Sequence, residues 1–214
     1  MTQPIPTHVL HMTRIERLPN IVDQGLLPDN EVRRRGLAGV EIGYRHIKDR
    51  RARRPVPCGP GGTLADYVPF YFAPRSPMLF TIDKGSLGSD AARTERIVYL
   101  VSTLQQLVMS GLSVVVSNRH AELAYADFRE VGRGAIDGDF IDWPLMRAQY
   151  WNSTDDDPDR KERRQAECLV HEGVPWAAVR GIVTKTEGSE GEVRATLASL
   201  RDPMDVRVRP DWYF

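Results

Sequence analysis

Proline has no N–H to give to a neighbouring strand, and Pro69, Pro74 and Pro77 fall close together in the run GGTLADYVPFYFAPRSPML between Gly61 and Leu79. Around the first of them, Val68-Pro69-Phe70-Tyr71-Phe72 has the β-branched and aromatic make-up of a short strand. Both features are met if that strand starts at a sheet edge or ends in a tight turn. Gly61-Gly62 supply a flexible entry, and Pro74-Arg75-Ser76-Pro77 is the expected rigid turn. Met78-Leu79-Phe80 then re-enters apolar surroundings. Two uses fit this stretch. It is a core strand with a stiff exit loop, or it is a pocket wall where an aromatic ring lies against a planar ligand and Arg75 meets a phosphate.

The flanking chain reads as short alternating elements. His8 to Met12 alternates as a first strand ending near Thr13. Pro19 suits the first turn of a short helix that Gly25 closes, and Pro28 to Ala38 reads as a loop. Glu41 to Arg54 has helical character, with Tyr44, Ile47 and Arg51 on one face. That spacing turns Arg51 inward and Arg50, Arg53 and Arg54 elsewhere. Ser86 to Thr94 is a polar loop, and Ile97 to Val101 a strand. Ser102 and Gln105 match a capping box for a helix reaching Gly111, and Leu112 to Val116 is another strand. Asp142-Trp143-Pro144 caps a helix running to about Trp151. Gln165 to His171 is a short strand, Trp176 to Val179 a helical turn, and Ile182 to Thr184 a strand. Glu190 to Leu200 is a helix and Val206 to Val208 a last strand. Strands outnumber helices and two connections are long and irregular. The expected class is therefore α+β with a mixed or antiparallel sheet. No glycine-rich phosphate loop follows a strand, which argues against Rossmann and P-loop sites.

At 214 residues the chain is long enough for one domain with a sizeable core. Its 29 Lys and Arg balance 29 Asp and Glu, so no global field draws it to nucleic acid or a membrane. The charge is clustered, however. Residues 45–54 hold six cations against Asp49, 160–164 is basic and 155–159 acidic, patterns of a solvated face or of a local phosphate track. Cys58 and Cys168 form neither a disulfide framework nor a metal-ligand spacing, so no metal and a reducing cytoplasm are expected. The N-terminal residues do not read as a signal peptide, and no apolar run approaches a membrane span.

Glu167 is the most informative carboxylate. Ala166, Cys168, Leu169 and Val170 surround it, and a buried carboxylate needs compensation, which makes it a candidate site residue. The alternative is an outward-facing acid on an edge strand. His11 and Thr13 at one strand end, and Arg119-His120 at another, are suited to hydrogen-bonding a ligand or to a structural role.

Taken together, His11-Met12-Thr13, Leu18 to Leu27, Ile47-x-x-Arg50-Arg51, the Gly61–Leu79 run, Ser117-x-Arg119-His120, Gln149-Tyr150-Trp151, Gln165-Ala166-Glu167-x-Leu169-Val170 and Asp211-Trp212-Tyr213-Phe214 resemble the DarT toxins. These are DNA ADP-ribosyltransferases of toxin–antitoxin pairs, and DYVPFYFxPRSPM resembles the thymidine-modifying branch. The resemblance spans the chain, in order. It implies a single ADP-ribosyltransferase domain over 1–214, with a split β-sheet and peripheral helices holding NAD in a cleft. It implies Arg51 and Glu167 as the catalytic pair. His11, Met12 and Thr13, with Asn20, Leu27, Arg51 and Tyr71, are the implied NAD-binding residues. It further implies single-stranded DNA as acceptor and a DarG-type macrodomain antitoxin as partner. Arg45, Arg53, Arg54, Arg75, Arg119 and His120 are the candidate DNA contacts. Two other readings stand beside it: an enzyme of this fold acting on RNA or protein, and a non-enzymatic nucleic-acid-binding module.

Overall fold

The computed structural model describes residues 2–37, 45–84, 94–200 and 203–214, and of Arg45 the backbone alone. Residues 41–44 of the helix expected over Glu41 to Arg54, and all but Thr94 of the loop expected from Ser86 to Thr94, lie outside the described residues. The strands are β1 (His8–Arg14), β2 (Tyr67–Tyr71), β3 (Ile97–Thr103), β4 (Val114–Ser117), β5 (Phe128–Glu130), β6 (Glu167–His171), β7 (Gly181–Thr184) and β8 (Val206–Val208). The helices are α1 (Leu18–Gln24), α2 (Asp29–Arg34), α3 (Arg45–Arg51), α4 (Pro77–Asp83), α5 (Leu104–Met109), α6 (Trp143–Arg147), α7 (Arg160–Arg163) and α8 (Glu187–Thr196). The strands form one eight-stranded sheet in the order β5-β4-β6-β2-β1-β3-β7-β8. Its neighbours are antiparallel except β7 and β8, which run parallel, so the fold is α+β with a mixed, mostly antiparallel sheet.

The sheet parts beside Pro69. β2 pairs with β6 along its length, from Tyr67↔His171 to Tyr71↔Glu167, but meets β1 at one register pair, Leu10↔Tyr71. Within a strand the N–H and C=O of one residue point to the same neighbour. The Pro69 carbonyl accepts a hydrogen bond from His11 Nδ1 on β1 at 2.8 Å, so its missing N–H also lies on the β1 side. Pairing with β6 loses nothing. Of the two expected settings, an edge or a tight turn at the strand's end, the structure shows the second: Pro69 stands in an interior strand that leads into the Pro74–Pro77 turn, and the sheet opens beside it.

Side-chain alternation buries both faces. Val9, Phe70, Leu100, Val116 and Cys168 pack on one core with Leu104 and Leu107 of α5. Leu10, Met12 and Tyr99 pack on a second with Leu79 and Ile82 of α4. Tyr67, Val115 and Leu169 close a third with Val56 and Leu64. Each such side chain contributes about 1.5–3 kcal/mol of transfer free energy.

Several element ends differ from expectation. The loop expected from Pro28 contains α2, whose side chains are all at least partly exposed and so show no apolar stripe. Helix α5 is capped by Thr103, whose Oγ1 accepts from the Gln106 N–H at 3.0 Å, and not by Ser102. Ser102 is buried on β3 and donates to the Ala178 carbonyl at 2.7 Å. The Pro74–Pro77 turn holds Arg75 at φ +58° and passes directly into α4, capped by Ser76, whose Oγ accepts from the Leu79 N–H at 3.2 Å. Helix α6 stops at Arg147, well before Trp151, while the basic run after Asp159 winds into α7.

Candidate active site

The parting of β1 from β2 opens a cavity of about 800 Å³, within the range of about 300–1,000 Å³ typical of small-molecule sites. One wall is His11, Met12 and Thr13 of β1; the other is Tyr67, Pro69 and Tyr71 of β2. Leu27 and residues of α2 and α3 lie across the opening, with Lys48 Nζ 2.9 Å from Asp29 Oδ1 tying the two helices together.

Glu167, the first residue of β6, is fully buried, which settles the choice between a buried and an outward-facing acid. Its compensation comes from two directions. Arg51 Nη1, from the last residue of α3, approaches Oε2 at 2.9 Å and Oε1 at 3.3 Å. The Ala121 N–H donates to Oε1 at 2.9 Å, and His120 Nε2 stands 3.8 Å from the same oxygen. Burial works against the Arg51 charge, but the Glu167 carboxylate outweighs it and pushes the guanidinium above its ordinary value, so it remains a cation. Arg51 is itself only 7% exposed, and among the described residues its Nη2 has no hydrogen-bond partner. A buried donor left unsatisfied costs about 1–3 kcal/mol. It is satisfied if an oxygen-rich ligand enters the cavity that Arg51 lines.

Desolvation lowers the affinity of His11 for a proton, against the opposing pull of the Pro69 carbonyl and Asp29. Its Nδ1 faces only a carbonyl, so Nδ1 carries the hydrogen and Nε2 of the neutral ring is an acceptor. Tyr71 is pushed up by burial and by Glu167, so it stays a neutral phenol. Bond-making groups of both polarities therefore converge on one opening.

His11, Met12, Thr13, Leu27, Arg51, Tyr71 and His120 all line this cavity. Asn20 does not; it lies on a side pocket of about 330 Å³ shared with His11, Thr13 and Leu27. Arg53 is exposed, in the turn after α3, and donates back to Asp49 O of that helix at 3.1 Å. Arg54 points away from the opening, toward the carbonyls of residues 121–124. Arg75 lies 4.6 Å from the centre of the Phe214 ring, and its buried Nε has no partner among the described residues. Arg119 stacks 5.2 Å from the Tyr125 ring and meets Asp159 at 3.3 Å. The Arg45 side chain lies outside the described residues. Sequence reasoning missed Tyr67, Lys48 and Gln165 among the lining residues, and the Ala121 N–H on Glu167. A backbone donor leaves no mark in a sequence; Tyr67 did, as the first alternating position of its strand. Among the described residues no three His, Cys, Asp or Glu side chains gather as metal ligands, and no helix is long and apolar enough to cross a membrane.

A sheet that parts between two strands, with a buried acid and guanidinium meeting beside the opening, fits the ADP-ribosyltransferase fold that the resemblance implies. The family described as ssDNA thymidine ADP-ribosyltransferase, DarT, matches residues 10–214, and the chain belongs to it. It is 38% identical over 219 aligned positions to the DNA ADP-ribosyl transferase of Thermus sp. (strain 2.9), covering 100% of this chain and 99% of that protein. The structure of Thermus sp. 2.9 DarT in complex with ADP-ribosylated ssDNA superposes with a TM-score of 0.89 at 36% identity, covering 100% of this chain and 99% of that one. The same protein in complex with NAD+ gives a TM-score of 0.82 at 34% identity, with 100% of both chains covered.

Proposed function

We propose that this chain, acting as one domain over 1–214, transfers ADP-ribose from NAD to thymidine bases in single-stranded DNA and releases nicotinamide. The observation that carries this reading is the Arg51–Glu167 pair, buried beside the cavity where the sheet parts, with one Arg51 nitrogen left for a ligand. When bound, NAD supplies the glycosidic bond whose cleavage develops positive charge on the ribose. Glu167 pairs with Arg51 at 2.9 Å, and its carboxylate is placed to stabilise that charge and fix the sugar by hydrogen bonds. Arg51 Nη2 meets an oxygen of the dinucleotide or of the deprotonated base. His11 Nε2 accepts from an amide or hydroxyl, and Met12, Thr13, Leu27 and Tyr71 shape the walls, with Asn20 at the side pocket. The base must be unpaired to present its ring nitrogen, which favours single strands read by stacking and backbone charge. Arg53, Arg75, Arg119 and His120 are the proposed contacts to that strand. The family resemblance further supports a toxin that acts in the cytoplasm and is opposed by a DarG-type macrodomain antitoxin.

Mass spectrometry of a thymidine-containing oligonucleotide after incubation with protein and NAD tests this directly. The expected product carries one added ADP-ribose on thymidine, with nicotinamide released in equal amount. Parallel RNA and lysate-protein samples should stay unlabelled. Label in either of those instead, or DNA binding without nicotinamide release, would favour the RNA- or protein-modifying enzyme or the simple binding module.

A further inference from the structure

Arg51 sits between two other arginines, and both reach one loop. That loop, residues 118–127, is closed at its neck: Asn118 N–H donates to Asp127 O at 3.2 Å, and Asp127 N–H to Asn118 Oδ1 at 3.1 Å. Arg54 spreads its guanidinium over three of the loop's carbonyls: Nη2 donates to Leu123 O at 3.0 Å and Ala124 O at 3.1 Å, and Nε to Ala121 O at 3.4 Å. Arg50 forms an ion pair with Glu122 on the same loop. The loop in turn presents the Ala121 N–H to Glu167, while Arg51 reaches Glu167 from α3. The path from α3 through Arg50, and from the turn that follows it through Arg54, to the loop, then from the loop to Glu167 and back through Arg51, is closed.

We propose that Arg54 is a positioning residue and not a phosphate ligand: with the Arg50–Glu122 pair it clips α3 to the 121–124 loop and so sets the alignment of Arg51 with Glu167. This rests on the reading that the pair serves transfer. A planar guanidinium reaches three carbonyls at once in a fixed geometry, a task an ammonium on a flexible stem does not reproduce. The clip also makes one body of α3, which flanks the cavity, and of the loop carrying His120. Misplacement of a reacting group by about 1 Å costs on the order of 100-fold in rate, so a slack clip is read in kcat rather than in affinity.

The test compares Arg54→Gln, Arg54→Lys and Glu122→Gln with wild type in three measurements. These are steady-state transfer to a thymidine oligonucleotide, affinity for that oligonucleotide across a salt series, and amide hydrogen exchange over 118–127. Arg54→Gln is expected to lower kcat about 10–100-fold, with KM for the oligonucleotide little changed and an unchanged salt slope. Arg54→Lys should fail to restore kcat. Glu122→Gln should also lower kcat, although removing an acid does not weaken binding to a polyanion, and exchange in the loop should quicken in all three. A salt slope smaller by about one in Arg54→Gln, with the loss carried in KM, overturns the proposal in favour of a phosphate contact. Unchanged kcat or unchanged exchange overturns it as well. If Arg54→Gln does not fold, Arg54→Lys and Glu122→Gln decide by the same criteria. Wild type that transfers nothing would sink the transferase reading alone, since loop exchange still reports whether the clip exists.

Discussion

β1 has two neighbours and treats them in opposite ways. Toward β3 it is paired at seven register positions, from His8↔Thr103 to Arg14↔Ile97. Toward β2 it is paired at one, Leu10↔Tyr71. On the closed side the backbone is satisfied internally, and Tyr213 adds a further tie by donating to Val183 O at 2.9 Å across β3 and β7, with Ile97 O at 3.1 Å. On the open side the same strand spends His11 on the Pro69 carbonyl and gives the rest of its edge to a cavity. The difference separates two tasks: pairing with β3 holds the fold, and the failure to pair with β2 makes the site.

The largest effects should therefore divide by side. On the open side, Glu167→Gln keeps the shape but removes the charge, and transfer is expected to fall about 1,000-fold while the protein stays folded. On the closed side, Leu100→Ala empties a fully buried position on β3 and should cost about 3 kcal/mol, seen as a lower urea midpoint. Its transfer rate per folded molecule should stay close to wild type. If Leu100→Ala slowed the folded fraction as deeply as Glu167→Gln, the division between the two sides would not hold.

A smaller effect sharpens the same contrast through pH. The folded state lowers the affinity of His11 for a proton, chiefly by desolvation, from an ordinary value of 6.5. A depressed pKa means that the unfolded chain binds the proton more readily. The stability His11 confers is thus fully present above pH 6.5 and is lost as the pH falls below it toward the folded value. Each unit of depression corresponds to about 1.4 kcal/mol. Unfolding midpoints measured at successive pH values should show that loss in wild type and a shallower slope in His11→Gln. A variant with the wild-type slope would mean that the acid sensitivity arises elsewhere.

The two sides also differ in how far the sequence disclosed them. The helical period through Tyr44, Ile47 and Arg51 was enough to turn Arg51 inward, and the structure buries it. Glu167 stood evenly between core and solvent because alternation cannot tell an edge strand from an interior one covered on both faces. Pairing with both β2 and β4 decided it. Helix α2 escaped notice because DNEVRR buries no residue and shows no stripe. Arg54 was one of six cations in a basic run, and nothing in their spacing says which of them meets carbonyls of residues 121–124. Local periodicity carried the strands and the inward arginine; what lies across the cleft is set by distant partners and was legible only through family resemblance.

Pro69 offers the most delicate way to disturb the contrast. Its backbone nitrogen lies on the β1 side of β2, where an ordinary residue would offer an N–H to the gap. Pro69→Ala restores that donor without disturbing the register with β6. The new N–H lets β1 and β2 draw together, and it also frees a backbone angle that proline fixes. The two effects on stability oppose one another, the second costing about 0.4–1 kcal/mol through the unfolded chain, so the midpoint should move little. The cavity should feel the change more, because Pro69 stands between Tyr67 and Tyr71 on its wall. The expected outcome is a KM for NAD raised severalfold with kcat close to wild type. An unchanged KM would show that the sheet stays open for reasons other than the missing donor, and the physical cause assigned to the parting would have to be sought in the packing of α2 and α3 instead.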